Sequence, residues 1–333
     1  MWISVVGPRC AMSNGDGFIR RTAGEPELAA RTASGGFRPD RLLLAQDLGA
    51  LSVRRDSKGW VQLFGHLAVL GASGSLWASQ IGNWPVAVPA LVVYGFGLAS
   101  MFAPLHECVH RTAFASNRTN DAVAWFAGLL SFYNSTFYRR YHKWHHRYTQ
   151  IPGKDPELDD PKPSNLGGYL VEISGLSWWM GKLRGHFRVA AGRLDGCPFI
   201  PEDARTGVIR SVRLQLLVYA GAIALSLAAG QPWFWLYWLL PLAVGQPILR
   251  AILLAEHTGC SSDDNPLTNT RTTITIWPVR FLMWNMPFHT EHHLHASIPF
   301  HALPVAHQKL RPHFAHLAAG YVKVNRDIVA RLG

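Results

Sequence analysis

Apolar residues in this 333-residue chain gather in blocks separated by long polar stretches. A helix needs about 20 apolar residues to cross a bilayer. Four blocks come close to that length: Trp60 to Ile81, Val86 to Pro104, Leu214 to Ala229 and Trp233 to Leu249. Gly82, Asn83 and Trp84 separate the first two, and Gly230, Gln231 and Pro232 the last two, so the pattern predicts two helical hairpins. A fifth apolar stretch, AVAWFAGLLSFYNSTF at 122–137, is about one turn short of a span and is interrupted by Asn134, Ser135 and Thr136. It is expected to lie at the interface or to re-enter.

Charge orients these elements. All 32 Lys and Arg residues fall in the first 59 residues, in 105–213 and from Arg250 onward, with none in either hairpin turn. The positive-inside rule then places both termini and the middle segment in the cytoplasm. The expected fold is an all-α integral membrane protein with four transmembrane helices in two hairpins, carrying a helical cytoplasmic cap. Its expected divisions are a partly disordered cytoplasmic tail at 1–59, a membrane and catalytic domain at 60–316 and a cytoplasmic C-terminal segment at 317–333. The opening MWISVVGPRC is too short an apolar run for a signal peptide, and Met12 offers an alternative start. The net charge of +11 is dispersed rather than gathered into a run that tracks phosphates, which points to an anionic membrane surface and away from nucleic acid. Cys10, Cys108, Cys197 and Cys260 form no CxxC pair, so neither a disulfide framework nor a zinc knuckle is indicated.

The chemistry lies in three histidine clusters: His106 and His110 in HECVH, His142, His145 and His146 in HKWHH, and His289, His292 and His293 in HTEHH. Spacings of i, i+3 and i+4 put the imidazoles of each cluster on one helix face. If the 122–137 stretch crossed the bilayer, the first two clusters would lie on opposite sides; keeping it on one side lets all three share a site. Eight imidazoles exceed what one ion takes, so two metals are implied. Of the metals suited to imidazole, only the redox-active ones carry O2 chemistry, and iron fits best.

HxxxH, HxxHH and HxxHH, in this order and separated by membrane hairpins, resemble the three histidine boxes of membrane fatty acid desaturases and related hydroxylases. The resemblance covers roughly residues 60–316 and is to bacterial-type members without a fused cytochrome b5 domain. It implies a bacterial inner-membrane enzyme with a cytoplasmic di-iron site using O2 as co-substrate. A further ligand at the end of the fourth helix is implied too, and His257 in LLAEHTG matches its position. The implied ligand set is therefore His106, His110, His142, His145, His146, His257, His289, His292 and His293. Some desaturases carry an Asn one turn before the added histidine, where this chain has Leu253. The implied substrate is a fatty acyl chain or free fatty acid, oxidised by desaturation, hydroxylation or oxidative decarboxylation to a terminal alkene. Because the chain has no iron–sulfur or dinucleotide-binding pattern, a separate ferredoxin- or rubredoxin-type donor with its reductase is implied.

Two rival readings use the same residues. HECVH also fits the HExxH of zinc metalloproteases, with Glu107 as base, and a histidine-rich membrane protein can be a metal transporter, although no Asp or Glu lies in the four blocks. Asp155, Glu157, Asp159 and Asp160, together with Glu107, Glu256 and Glu291 beside the histidines, are candidates to orient imidazoles. Arg139, Arg140, Lys143 and Arg147 form a basic face suited to headgroups, a donor protein or a substrate anion. His66 is expected to bridge helices, while His295, His301, His307, His313 and His316 lie outside the pattern. Trp125, Phe126, Phe132, Tyr133, Trp178, Trp179, Phe281 and Trp284 are expected to wall an acyl tunnel.

Overall fold

The computed structural model describes residues 42–160 and 162–332. Most of the expected N-terminal tail, with Cys10 and Met12, lies outside the described residues. A short helix α1 (Ala45–Leu51) precedes α2 (Asp56–Ser79), which turns at Gly82, φ +101°, into α3 (Trp84–Ser100). Glycine relieves the steric penalty of that left-handed backbone. Helix α4 (Phe102–His110) continues α3 and carries the first histidine cluster. Next come α5 (Asn117–Ser131) and α6 (Ser135–Tyr148), the latter bearing the second cluster.

Two cap helices follow, α7 (Leu166–Ile173) and α8 (Leu176–Ala190), and then the long α9 (Glu202–Ala228). A π-turn at Trp235–Leu239 leads into α10 (Leu240–His257). The C-terminal part holds α11 (Pro266–Asn269), strand β1 (Thr272–Ile274), α12 (Trp277–Leu282), α13 (His289–Leu294), α14 (Leu303–Leu310), strand β2 (Leu317–Ala319) and α15 (Tyr321–Val329). The parallel pairing of β1 with β2, Thr272 opposite Leu317, adds a small sheet to the expected all-helical fold.

Among the described residues, three helices are long and apolar enough to cross a membrane: Trp84–His110, Glu202–Ala228 and Trp235–His257. Each runs beyond its hydropathic block. Helix α9 starts at Glu202 because EDARTGVIR is a good helical sequence with acidic residues at its positive end, a segment invisible to hydropathy. Its Leu217, Leu225 and Leu227 are 68%, 62% and 67% exposed, an outward apolar face suited to lipid. Helix α2 has 24 residues, but Asp56, Lys58, Gln62, His66 and its glycines keep it less apolar than the other three. Helix α5, with 15 residues and hence about 22 Å long, is shorter than a hydrocarbon core of about 30 Å.

Two contacts set the geometry around the histidines. Helix α3 packs along α2 on one side and α10 on the other. At the α3–α10 crossing, a Cβ on Gly245 would lie 1.9 Å from the Gly95 carbonyl oxygen, and one on Gly95 would lie 2.3 Å from that of Pro241. Small residues permit this backbone approach, a device of helix packing in lipid. The C-terminal end of α5 is tied down by side chains from the second pair of long helices. Tyr219 Oη donates to Leu129 O at 2.7 Å, Trp238 Nε1 to Leu130 O at 3.0 Å and Gln215 Nε2 to Tyr133 O at 3.1 Å. These bonds satisfy carbonyls left open where the helix ends.

Gly245→Ala is expected to destabilise the protein by about 1–3 kcal/mol through overpacking, read as a lower thermal midpoint in detergent. Gly221→Ala, with nothing within 4 Å of its added methyl group, should leave the midpoint unchanged.

Candidate metal centre

The three clusters meet, and His257 joins them. Helix α4 supplies His106 and His110, α6 supplies His142, His145 and His146, the end of α10 supplies His257, and α13 supplies His289, His292 and His293. The side chains divide into two groups able to hold a metal. One contains His106, His110, His142, His146 and His292; the other contains His145, His257 and His293, with donor atoms in each group within 4.8 Å of one another. His289 completes the second group: its Nε2 lies 3.2 Å from that of His257 and 3.1 Å from that of His293. In the first group, His146 Nε2 lies 3.0 Å from His142 Nε2 and 3.1 Å from His292 Nε2. Imidazole nitrogens bound at right angles about 2.1 Å from one ion are roughly 3 Å apart, so these spacings suit ligands sharing a metal. Both His106 nitrogens, His110 Nε2 and His289 Nδ1 are buried without a protein partner. Such atoms are costly unless a ligand engages them.

The opposite ring nitrogens are held by the protein. His145 Nδ1 donates to Asp155 at 2.9 Å, His257 Nδ1 to Asn269 O at 3.0 Å and His293 Nδ1 to Thr149 Oγ1 at 3.2 Å. His142 Nδ1 lies 3.3 Å from Tyr138 Oη. These contacts leave Nε2 with its lone pair directed inward. Burial first, and neighbouring imidazoles second, push His142, His146, His289, His292 and His293 well below the ordinary histidine pKa, so at neutral pH they are uncharged donors. His145 differs. Burial lowers its pKa, but Glu157 and Asp155 outweigh that effect and the net shift is upward.

The acidic candidates separate by geometry. Asp155 also accepts backbone N–H bonds from Gln150 at 2.7 Å and Glu157 at 3.0 Å, while Glu157 reaches His145 at 3.6 Å. Glu256 Oε2 lies 3.4 Å from His289 Nε2, and its Oε1 is buried without a partner. Glu107 and Glu291 do not orient their neighbouring histidines. Glu107 accepts from Phe300 N at 3.1 Å, and Glu291 binds His307 and takes the Thr272 hydroxyl at 2.5 Å. Glu291 thereby ties α13 to β1.

Other candidates fall outside the two groups. His66 bridges helices as expected, donating from Nε2 to Gly97 O at 2.9 Å and accepting from Trp284 Nε1 at 3.3 Å. Arg139 pairs with Asp121 at 2.9 Å, and Arg140 donates to Thr136 O at 2.9 Å. Among the aromatics, Tyr133, Trp178 and Trp284 are buried, whereas Phe126 is 40% exposed and walls no interior. Thr149, Asn269 and Tyr138 were not singled out in the sequence. Thr149 lies one turn beyond His145, a detectable spacing, whereas nothing local marks Asn269.

Residues 82–325 match the fatty acid desaturase family. The chain belongs to that family, a class of membrane oxidoreductases. It is similar to three cyanobacterial proteins, each called sn-1 oleoyl-lipid 12-desaturase. Identity is 26% over 60% of this chain and 58% of the Picosynechococcus protein, 25% over 78% and 77% for Synechocystis, and 24% over 76% of each chain for Anabaena variabilis. The chain thus spans less than two thirds of the first of these relatives.

Asp155→Asn should lower metal affinity by about 10- to 100-fold, the usual effect of removing a carboxylate that orients a histidine ligand. Chelator competition measures it. Unchanged retention would reduce Asp155 to a packing role.

Proposed function

We propose that the chain is an O2-dependent di-iron oxidoreductase that desaturates a fatty acyl chain in the membrane. The observation that carries this reading is the convergence of nine histidines into two groups inside a fatty acid desaturase domain. His106, His110, His142, His146 and His292 would hold one ion. His145, His257, His289 and His293 would hold the other, with Glu256 Oε2 offering an anionic donor where no Asn is available. Iron at these positions would supply O2 activation and hydrogen abstraction from an unactivated C–H bond.

In desaturation, two hydrogens leave adjacent carbons, and O2 with two further electrons and two protons yields two waters. The chain's residues align the imidazoles and, His145 apart, keep them neutral, and the buried rings around them would exclude water from the alkyl segment. Loss of one hydrogen followed by oxygen transfer would give an alcohol, and loss of the carboxyl carbon from a free fatty acid a terminal alkene. A desaturase outcome is preferred because all three named relatives are acyl-lipid desaturases. The protease alternative loses its base: Glu107 is held by Phe300 N, and both histidines of HECVH belong to a five-imidazole group.

Helix α2, packed along α3, supplies the fourth crossing in this reading. The catalytic domain spans 60–316, with the site and both termini cytoplasmic in a bacterial inner membrane. Electrons arrive from a separate ferredoxin- or rubredoxin-type donor with its reductase.

Purified protein should contain two irons per chain, and His145→Ala or His292→Ala should remove both iron and activity. Full activity with zinc alone would sink this reading. Lipid mass spectrometry of a heterologous host supplying a ferredoxin system should show new internal double bonds; hydroxylated chains or volatile 1-alkenes would reassign the outcome. Isolated protein given NADH alone should not turn over, and turnover under those conditions would remove the need for a partner.

A further inference from the structure

Two cations from different helices meet at Tyr133, beside the centre but outside it. Lys182 of α8 places Nζ 3.7 Å from the centre of the Tyr133 ring. Arg250 of α10 donates from Nη2 to Tyr133 Oη at 3.1 Å, and its guanidinium lies 5.5 Å from the Trp178 ring. Trp178 Nε1 donates to the same Tyr133 oxygen at 3.0 Å, which therefore has little capacity left for another donor. Both cations retain unused donors. Arg250 Nε is buried without a partner, and no described carboxylate lies within the 4.0 Å ion-pair distance of either side chain. Asp160 and Glu157 act on Lys182 only from farther away, and Glu157 is engaged with His145.

Lys182 is only half-buried by surface exposure, yet burial, with Arg250 next in weight, pushes its ammonium down to about 7. Neighbouring cations without a close counter-ion are unfavourable until an anion engages them.

Aromatic rings lead from this pair to the imidazoles. The Tyr133 ring lies 4.8 Å from Phe102 and 5.6 Å from Tyr138, and Tyr138 stacks on His142 at 5.0 Å. These packed rings run from the cationic pair at one end to the first imidazole group at the other, and they are largely apolar. This is the polarity of an amphiphile with an acidic head.

We propose that Lys182 and Arg250 form the subsite for the anionic head of the substrate, a carboxylate or a phosphate, while its alkyl chain runs past Tyr133, Phe102 and Tyr138 toward the imidazoles. The subsite rests on the acyl-chain reading above and narrows it to substrates with an acidic head. It also assigns the anion-binding role to residues from the cap and the last long helix, whereas Arg139 is already paired with Asp121.

The test is equilibrium binding to metal-loaded full-length protein in detergent, with oleate, dioleoyl phosphatidate and methyl oleate as probes. Wild type should bind at least one acidic probe more tightly than the neutral ester, and whichever it prefers identifies the head as carboxylate or phosphate. Lys182→Met should weaken that acidic probe by roughly tenfold, as expected for a lost charge-assisted hydrogen bond, and leave methyl oleate within about twofold. Lys182→Arg should retain the preference, which separates charge from packing. Equal affinity of wild type for acidic and neutral probes would overturn the subsite while leaving the acyl-chain reading intact, and needs no variant to fold. Equal weakening of all probes by Lys182→Met would likewise overturn it. Failure of wild type to bind any probe would overturn both.

Discussion

Nine imidazoles crowded into one largely buried volume repel one another when protonated, and when neutral they leave nitrogens of His106, His110 and His289 buried without partners. A bound cation would resolve both difficulties together. The surrounding structure is organised around that constraint. Asp155, Asn269 O and Thr149 take up Nδ1 protons so that Nε2 faces inward, and Glu291 anchors the helix that brings the last three rings. Helix ends suit such groups: α4, α6 and α10 carry His110, His145, His146 and His257 in their final turns, where the helix dipole also favours positive charge.

The apolar helices supply the frame for this arrangement. The Gly95–Gly245 approach draws α3 and α10 together, so the first cluster and His257 arrive at neighbouring positions. The carbonyls at the end of α5, bonded by Tyr219, Trp238 and Gln215, hold the turn through Phe132 and Tyr133 that starts α6. Backbone polar groups in such surroundings have little water to turn to, which makes these side-chain bonds a condition for ending a helix there.

Much of the centre was legible in the sequence because i, i+3 and i+4 spacing on a helix translates directly into a shared face. His257 required the family resemblance, since a lone histidine carries no spacing signal. The carboxylates were harder to assign. Glu107 and Glu291 are adjacent in sequence to histidines, but neighbouring residues on a helix diverge by about 100°, and these two point to Phe300 N and to Thr272 and His307. Glu256, equally adjacent to His257, faces His289 on another helix. Helices outrun the apolar blocks where charged residues flank them, as α9 does from Glu202. The β1–β2 ladder was missed because three-residue strands carry too little alternation to detect. Lys182 and Arg250 are far apart in the chain and come together only through the packing of α8 against the rest.

The distribution of the imidazoles along the chain has a biosynthetic consequence. Four members of the first group, His106, His110, His142 and His146, emerge from the ribosome before α9 and α10 are made. The second group has only His145 at that stage and waits for His257, His289 and His293. Both groups close with α13, after the last long helix has been placed. The two positions therefore mature unequally: one exists early as a partial nest of donors, and the other is created late by the joining of distant segments. A complete set of donors is available only once α13 has been made, so any metal held by both groups would enter late in assembly.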